Sequence, residues 1–398
     1  MAATVGCSSC FLPYRMAEEE KLEKKELEVY VHIPFCARKC AYCDFLSFPM
    51  EKEGWKQYLE ALKREIKSSA FLSGEYEVSS VFFGGGTPSY LPAEEIGTIL
   101  EKLKSSFLFR SDAEISLEAN PGTVTAEKLA VYRRAGIGRI SFGCQSTDNR
   151  ELLKLGRIHT FEEFLESWQL ARQEGFTNLN VDLMSGLPGQ NVSSWESSLR
   201  TIAKLGPEHI SAYSLILEEG TPFFEKQELL ELPDEENERQ MYERTCEILA
   251  EYGYHQYEIS NYAKDGYECR HNLGYWTGTE YLGLGLGASS LLNHIRYRNT
   301  EDFGLYCRQS GQTEQIREVV ERLDEKDRQA EFMILGLRLT RGISVYEFEE
   351  RFGIPLRQVY AEPIERYLRQ GLLYEKEGRI ALTRRGISLS NTVLADFL

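Results

Sequence analysis

Six short β-rich runs alternate with helix-length stretches through the first two-thirds of the chain. The runs are LEVYVHIP, VSSVFFGGG, AEISLEAN, GRISFGCQ, TNLNVDLMSG and EHISAYSLIL. Between them lie WKQYLEALKREIKSSA, AEEIGTILEKLKSSF, TAEKLAVYRRAG, TFEEFLESWQLARQEGF and SSWESSLRTIAKLG, and EENERQMYERTCEILAEYG follows the last. Strands spaced by helices of this length pair in parallel, because the helix carries the chain back to begin the next strand beside the last. Gly136, Gly175, Gly206 and Gly253 stand where helices want a left-handed end. Six βα units fit either a partial barrel or an open doubly wound sheet. In both, ligands collect at the carboxyl ends of the strands.

The unusual residues gather at those ends. Cysteines follow the first strand, GGGTPS follows the second, Glu118 ends the third in LEANP, Gln145 ends the fourth, and Asp182 ends the fifth before MSGLPG. Residues kept for packing alone would not share one rim, so they read as one site. Its first part, YVHIPFCARKCAYCDF, places Cys36, Cys40 and Cys43 at C-x₃-C-x₂-C with no fourth cysteine. A structural zinc ion wants four ligands, usually from paired spacings, and His32 or a distant side chain would have to complete the set. An iron–sulfur cubane is normally held by four thiolates; three would leave one iron open to a substrate or cofactor.

Composition narrows the setting. With 398 residues and 42% hydrophobic content the chain can bury a large core and carry a small second domain. A net charge of −16 argues against non-specific nucleic-acid binding, which wants clustered Lys and Arg. No apolar run is long enough to span a bilayer, so at most peripheral membrane contact is expected. The start, MAATVGCSSCFLPYRM, is too polar for a secretory signal and leads into the charge run AEEEKLEKKELE. Nine cysteines in such a chain do not read as a disulfide framework, and a reducing cytoplasm is the expected location. Cys7 and Cys10 form an incidental pair. Cys144, Cys246, Cys269 and Cys307 are structural or incidental. GLGLGAS mimics a dinucleotide fingerprint without the βαβ context.

The C-x₃-C-x₂-C loop together with GGGTPS resembles the radical S-adenosylmethionine superfamily. The resemblance implies a partial (βα)6 barrel of the TIM type. A [4Fe–4S] cluster would sit on Cys36, Cys40 and Cys43, and S-adenosylmethionine would fill the open iron and be cleaved to a 5′-deoxyadenosyl radical. It further implies that Tyr42 packs beside the adenine. Gly85, Gly86 and Thr87 would admit the methionine end. Glu118 and Arg157 would contact its amino-acid groups, Gln145 and Asp182 the ribose, and Tyr30 also the cofactor. Expected boundaries are a charged tail over 1–27, the barrel over 28–312 and a small, mostly helical, winged-helix-like domain over 313–398. That last domain is expected to pack rather than bind DNA, since no basic stripe is visible.

Across most of the chain YVHIPFCARKCAYCDF, GGGTPS, LEANPGT, AGIGRISFGCQS, LGRIH and VDLMSGLPGQ resemble the oxygen-independent coproporphyrinogen III oxidase group. The oxidase pattern carries one more cysteine, two residues after the third; here Phe45 stands there. CDF, with HNLGYW at His271–Trp276, resembles instead the haem-chaperone branch of the group. That branch implies haem held at His271, Asn272, Tyr275 and Trp276, with delivery to haem-requiring proteins such as membrane-bound respiratory enzymes, and a homodimer. An imidazole suits haem iron, and aromatic faces suit a porphyrin. The plainer reading is that Asn272 and Gly274 make a turn and His271 is an ordinary satisfied polar residue. The alternative activity is oxidative decarboxylation of coproporphyrinogen III; a haem-degrading radical enzyme is a third reading.

Overall fold

The structure, a computed structural model, describes residues 24–398. The pair Cys7 and Cys10, and most of the expected tail, lie outside the described residues. Strands β1 (Lys25–Ile33), β2 (Tyr76–Gly85), β3 (Phe109–Ala119), β4 (Arg139–Gln145), β5 (Asn178–Ser185) and β6 (His209–Ser214) pair in parallel in chain order. That order decides between the two architectures. Every crossover steps the same way, so right-handed connections put the helices on one face and the sheet curls into a partial barrel. The helices are α1 (Lys52–Ser68), α2 (Ala93–Ser106), α3 (Ala126–Ala135), α4 (Asn149–Leu155), α5 (Phe161–Gln173) and α6 (Val192–Leu205), with α7 (Pro222–Glu225) and α8 (Glu235–Glu251) after β6. Gly136, Gly175, Gly206 and Gly253 all have positive φ at helix ends.

Side chains alternate along each strand. Val29, Val31 and Ile33 of β1, Val81 and Phe83 of β2, Ile140 and Phe142 of β4 and Val181 and Leu183 of β5 join one buried apolar core with the helices. The alternate residues are largely polar: Glu28, Tyr30 and His32, Ser80, Glu118, Arg139 and Ser141, Asn180 and Asp182, His209 and Ser211. The face turned away from the helices is therefore a polar interior.

The edges are covered by short elements. Beside β6 run β8 (Asn261–Ala263) and β7 (His255–Gln256), both antiparallel. Then α9 (Arg270–Thr277), the helix carrying HNLGYW, enters the interior, where Cys269 Sγ lies 3.5 Å from Glu114 and the Ser80 hydroxyl 2.7 Å from His271. Beside β1 run β9 (Tyr281–Leu284), parallel, and then β10 (Ser289–Leu292), β11 (Ile295–Asn299) and β12 (Arg317–Arg322), antiparallel. A buried carboxyl, Glu65 of α1, ties this extension down. It accepts hydrogen bonds from the Tyr306 hydroxyl on α10 (Phe303–Gln309) at 2.7 Å, from Asn299 at 2.7 Å and from Gly285 N at 2.9 Å.

A second core follows β12, running from Met333 to Phe397. It holds α11 (Glu325–Gly336), β13 (Ile343–Ser344), α12 (Val345–Phe352), α13 (Leu356–Arg369), β14 (Leu373–Lys376), β15 (Arg379–Leu382), α14 (Arg384–Ser388) and α15 (Ser390–Ala395). Its three strands form an antiparallel sheet in the order β13-β15-β14, the small wing expected from sequence. It docks on the barrel through the backbone bond from Thr340 N to Tyr257 O at 3.0 Å and the Arg296–Glu331 ion pair at 2.6 Å. The strand Arg317–Arg322 lies inside the stretch assigned to this domain from sequence, yet it pairs with β11 in the large sheet.

Candidate functional site

The cysteine loop leaves the carboxyl end of β1 and is laced to the glycine strip after β2. Gly86 N donates to Ile33 O at 2.8 Å and Thr87 N to Phe35 O at 2.8 Å, while Phe48 N returns to Pro34 O at 2.9 Å. A Cβ on Gly86 would stand 2.8 Å from the backbone N and O of Phe35, so the lacing requires glycine. Gly85, at φ 107°, leaves room for the His32 ring, which a Cβ would meet at 2.4 Å. Cys36, Cys40 and Cys43 all line one cavity of ≈ 310 Å³. Cys36 Sγ lies 3.4 Å from the Thr87 hydroxyl. Among the described residues no three Cys, His, Asp or Glu side chains converge closely enough to hold a single metal ion. Three thiols spread around a cavity suit a polynuclear cluster better than one tetrahedral zinc. Burial pushes the Cys36 and Cys43 thiols up, so iron charge is what would hold them as thiolates.

The remaining walls come from the other strand ends. Glu118 Oε2 accepts from Gly85 N at 3.1 Å; burial, with Asp182 nearby, pushes its carboxyl up to about 8. Arg157 donates through Nη2 to Asn120 Oδ1 at 2.6 Å and to Gly143 O, and its Nη1 lies 3.8 Å from Cys40 Sγ. Asn120 passes the network on to the Thr87 hydroxyl at 2.7 Å. Gln145 holds φ 68°, unusual for a side chain of this kind, and accepts from the Tyr213 hydroxyl at 2.8 Å. Asp182 accepts from Asn180 at 2.7 Å and Ser141 at 3.3 Å, and burial raises its carboxyl. Tyr42, half-buried, also lines the cavity, and desolvation pushes its phenol up. Thiols, a guanidinium and carboxyls around one cavity match a ligand with an amino acid at one end and hydroxyls at the other.

Of the residues expected here, one stands apart. Tyr30 does not line the cavity; it lies a layer deeper, its hydroxyl 3.2 Å from His32 Nδ1 and its ring beside Phe82 and His271. As the residue three before Ile33 it points into the barrel interior below the rim. Asn120, Ser141 and Tyr213 line the cavity and were not singled out from sequence. The signal was present for Asn120 and Tyr213, each polar and close to the carboxyl end of its strand, but not for Ser141, which lies near the start of β4.

HNLGYW is helical rather than a turn, with His271 and Gly274 buried and the other four residues half-buried. His271 is 2% exposed. Its Nδ1 lies 2.7 Å from the Ser80 hydroxyl and its Nε2 3.2 Å from the Tyr275 hydroxyl, with Phe82 stacked at 5.2 Å. Burial, then Arg139, pushes the imidazole down to about 3, so it is neutral. Both of its ring nitrogens are engaged inside the barrel in this arrangement. Asn272 is half-buried on the same helix, and Tyr275 packs edge-on to Tyr281 at 4.8 Å. Trp276 lines a second cavity, with the Arg338 guanidinium 4.4 Å over its ring.

Residues 30–202 match the radical SAM superfamily, and residues 323–389 the HemN C-terminal domain. The chain is 36% identical to the haem chaperone HemW of Bacillus subtilis, over 93% of this chain and 98% of that protein. It is 37% identical to the haem chaperone HemW of Lactococcus lactis, over 94% and 98%. The solved structure of coproporphyrinogen III oxidase (HemN) from Escherichia coli, described as a radical SAM enzyme, superposes with a TM-score of 0.82 at 25% identity, covering 94% of this chain and 90% of that one.

Proposed function

The chain belongs to the haem chaperone HemW family within the radical SAM superfamily, and from that membership we propose that it carries haem as cargo to haem-requiring proteins in the cytoplasm or at the membrane surface. The observation that carries the reading is Phe45, which lines the cluster cavity and is 66% exposed where the oxidase pattern has a cysteine. The fold does not separate the two activities, since the oxidase superposes on it.

In this reading Cys36, Cys40 and Cys43 hold a [4Fe–4S] cluster, which when reduced supplies one electron to the sulfonium of S-adenosylmethionine. The chain's own residues bind and orient. Glu118 and the backbone around Gly85 and Gly86 receive the amino end, Arg157 the carboxylate, and Gln145 and Asp182 the ribose hydroxyls. Tyr42 gives the adenine an apolar wall, as part of a small cluster with Leu155, Met184 and Leu187. Tyr30 supports this layer from beneath. In the HNLGYW segment His271, Asn272 and Tyr275 pack α9 into the barrel, and Trp276 is the residue left to meet cargo. The acceptors include respiratory enzymes, and contact with their membrane is peripheral, since among the described residues no helix is long and apolar enough to cross one. A homodimer is part of the same reading.

Anaerobic reconstitution tests it. Cys40→Ala should lose the brown cluster chromophore. With cluster, reductant and S-adenosylmethionine present, coproporphyrinogen III should remain unconverted. Robust protoporphyrinogen formation would overturn the chaperone reading in favour of the oxidase.

A further inference from the structure

Two hydroxyls at the cysteine cavity have no part in the contacts assigned so far. Ser47 and Thr87 both line it, and both are buried. Among the described residues Ser47 Oγ has no hydrogen-bond partner. A buried hydroxyl left in that state costs about 1–3 kcal/mol, which a folded chain tolerates where a bound group meets it.

The backbone on both sides of Ser47 is fixed. Before it, the Leu46 carbonyl lies 2.9 Å from His32 Nε2. After it, Phe48 N donates to Pro34 O at 2.9 Å, and Cys36 N donates to Phe48 O at 3.2 Å. Ser47 is therefore held beside the strand end that carries Cys36, and its side chain stays at the Cys36 corner of the cavity.

The direction of the Thr87 bond follows from a chain of donors. A guanidinium can only donate, so Asn120 Oδ1, 2.6 Å from Arg157 Nη2, is the acceptor there. The Asn120 amide nitrogen is then the donor to Thr87 Oγ1, at 2.7 Å. Thr87 accepts that bond, and its own hydrogen is left for Cys36 Sγ, 3.4 Å away. The Thr87 backbone is pinned as well, by its N–H on Phe35 O at 2.8 Å. Burial pushes the Cys36 thiol up, and the Thr87 and Ser47 hydroxyls each pull it back. Cys36 thus has two neutral donors, where Cys40 has the Arg157 guanidinium at 3.8 Å.

We propose that Thr87 and Ser47 donate to the Cys36 sulfur of the bound cluster and raise its reduction potential, with Asn120 orienting Thr87. The reduced cluster carries one more negative charge than the oxidised one, so donors to its sulfurs favour the reduced state. The proposal rests on the cluster reading above and is independent of where cargo is held.

A potentiometric titration of the anaerobically reconstituted full chain, without S-adenosylmethionine, tests it. The reduced cluster is counted by its electron paramagnetic resonance signal. Thr87→Val keeps the side-chain shape and removes one hydroxyl; Ser47→Ala removes the other. In each variant the midpoint should move to a more negative potential, so that at the wild-type midpoint the ratio of reduced to oxidised cluster falls about fivefold. Thr87→Ser restores the hydroxyl and should titrate as wild type does. If Thr87→Val assembles no cluster, Ser47→Ala decides alone, since its hydroxyl has no bond within the polypeptide to lose. An unmoved midpoint in Ser47→Ala or in cluster-loaded Thr87→Val, or a Thr87→Ser midpoint that follows Thr87→Val, would overturn the proposal. A wild-type chain that yields no reducible four-iron signal would instead overturn the cluster reading itself.

Discussion

Arg157 is where the charges of the cluster cavity converge. Its guanidinium joins the carboxyl ends of three strands by bonding Asn120 after β3 and Gly143 in β4 while approaching Cys40 after β1. A planar fork can do this and still face a carboxylate; a lysine cannot. Arg157→Lys should therefore keep the cluster chromophore and bind S-adenosylmethionine roughly tenfold more weakly in an equilibrium binding assay. Equal affinity would remove Arg157 from the cofactor contacts. Much of this site was legible. Cysteines, glycines, Glu118, Gln145 and Asp182 stand out because few folds need such residues at strand ends, whereas Arg157, just after α4, entered only through the family resemblance. Tyr30 lies a layer below the cavity's lining residues, and its depth was not legible because one residue's chemistry does not reveal position along a strand. Asn120, Ser141 and Tyr213 were missed for the opposite reason: each is an ordinary polar residue until strand parity turns it inward.

At the scale of elements, α9 decides what the barrel can contain. Gly274 faces Glu28, whose carboxyl a Cβ would meet at 2.0 Å. Gly274→Ala should cost about 1 kcal/mol or more, read as a lower urea midpoint, because the new methyl must push aside the buried carboxyl end of Glu28. The same contact makes stability depend on pH. Burial, with Glu26 nearby, pushes the Glu28 carboxyl up to about 9, and Glu118 is pushed to about 8. An unfolded Glu titrates near ~4.3. Between that value and the folded ones the folded chain holds more protons, so its stability falls as pH rises. The urea midpoint of the cluster-free chain should fall from pH 6 to pH 9, and Glu28→Gln should flatten the slope. A slope unchanged in that variant would show that Glu28 does not titrate in this window. None of this was visible in HNLGYW itself. The periodicity of that stretch is weak because a helix inside a polar barrel has no apolar stripe to display. The short strands β7 to β12 were hidden likewise, since two- to six-residue strands leave little alternation to count.

Over the whole molecule the two ends of one barrel hold different cavities. The carboxyl ends of the strands carry the cysteines; the amino ends, closed by α9 and the C-terminal region, carry a cationic cleft, the cavity that Trp276 lines. The six parallel βα units were readable from alternation alone; their order was not, and the sequential pairing in the structure is what excludes the doubly wound sheet. The cleft was not readable, because Lys25, His294, Arg328 and Arg351 come from four separate segments and only docking of the C-terminal core brings them together. The central claim is that the chain carries haem rather than a haem precursor. The most direct measurement is an anaerobic absorbance titration of haem into the cluster-loaded full chain. A saturable Soret shift that ends at one haem per chain is the predicted result. Absorbance that rises linearly as free haem, with no saturation, would contradict it.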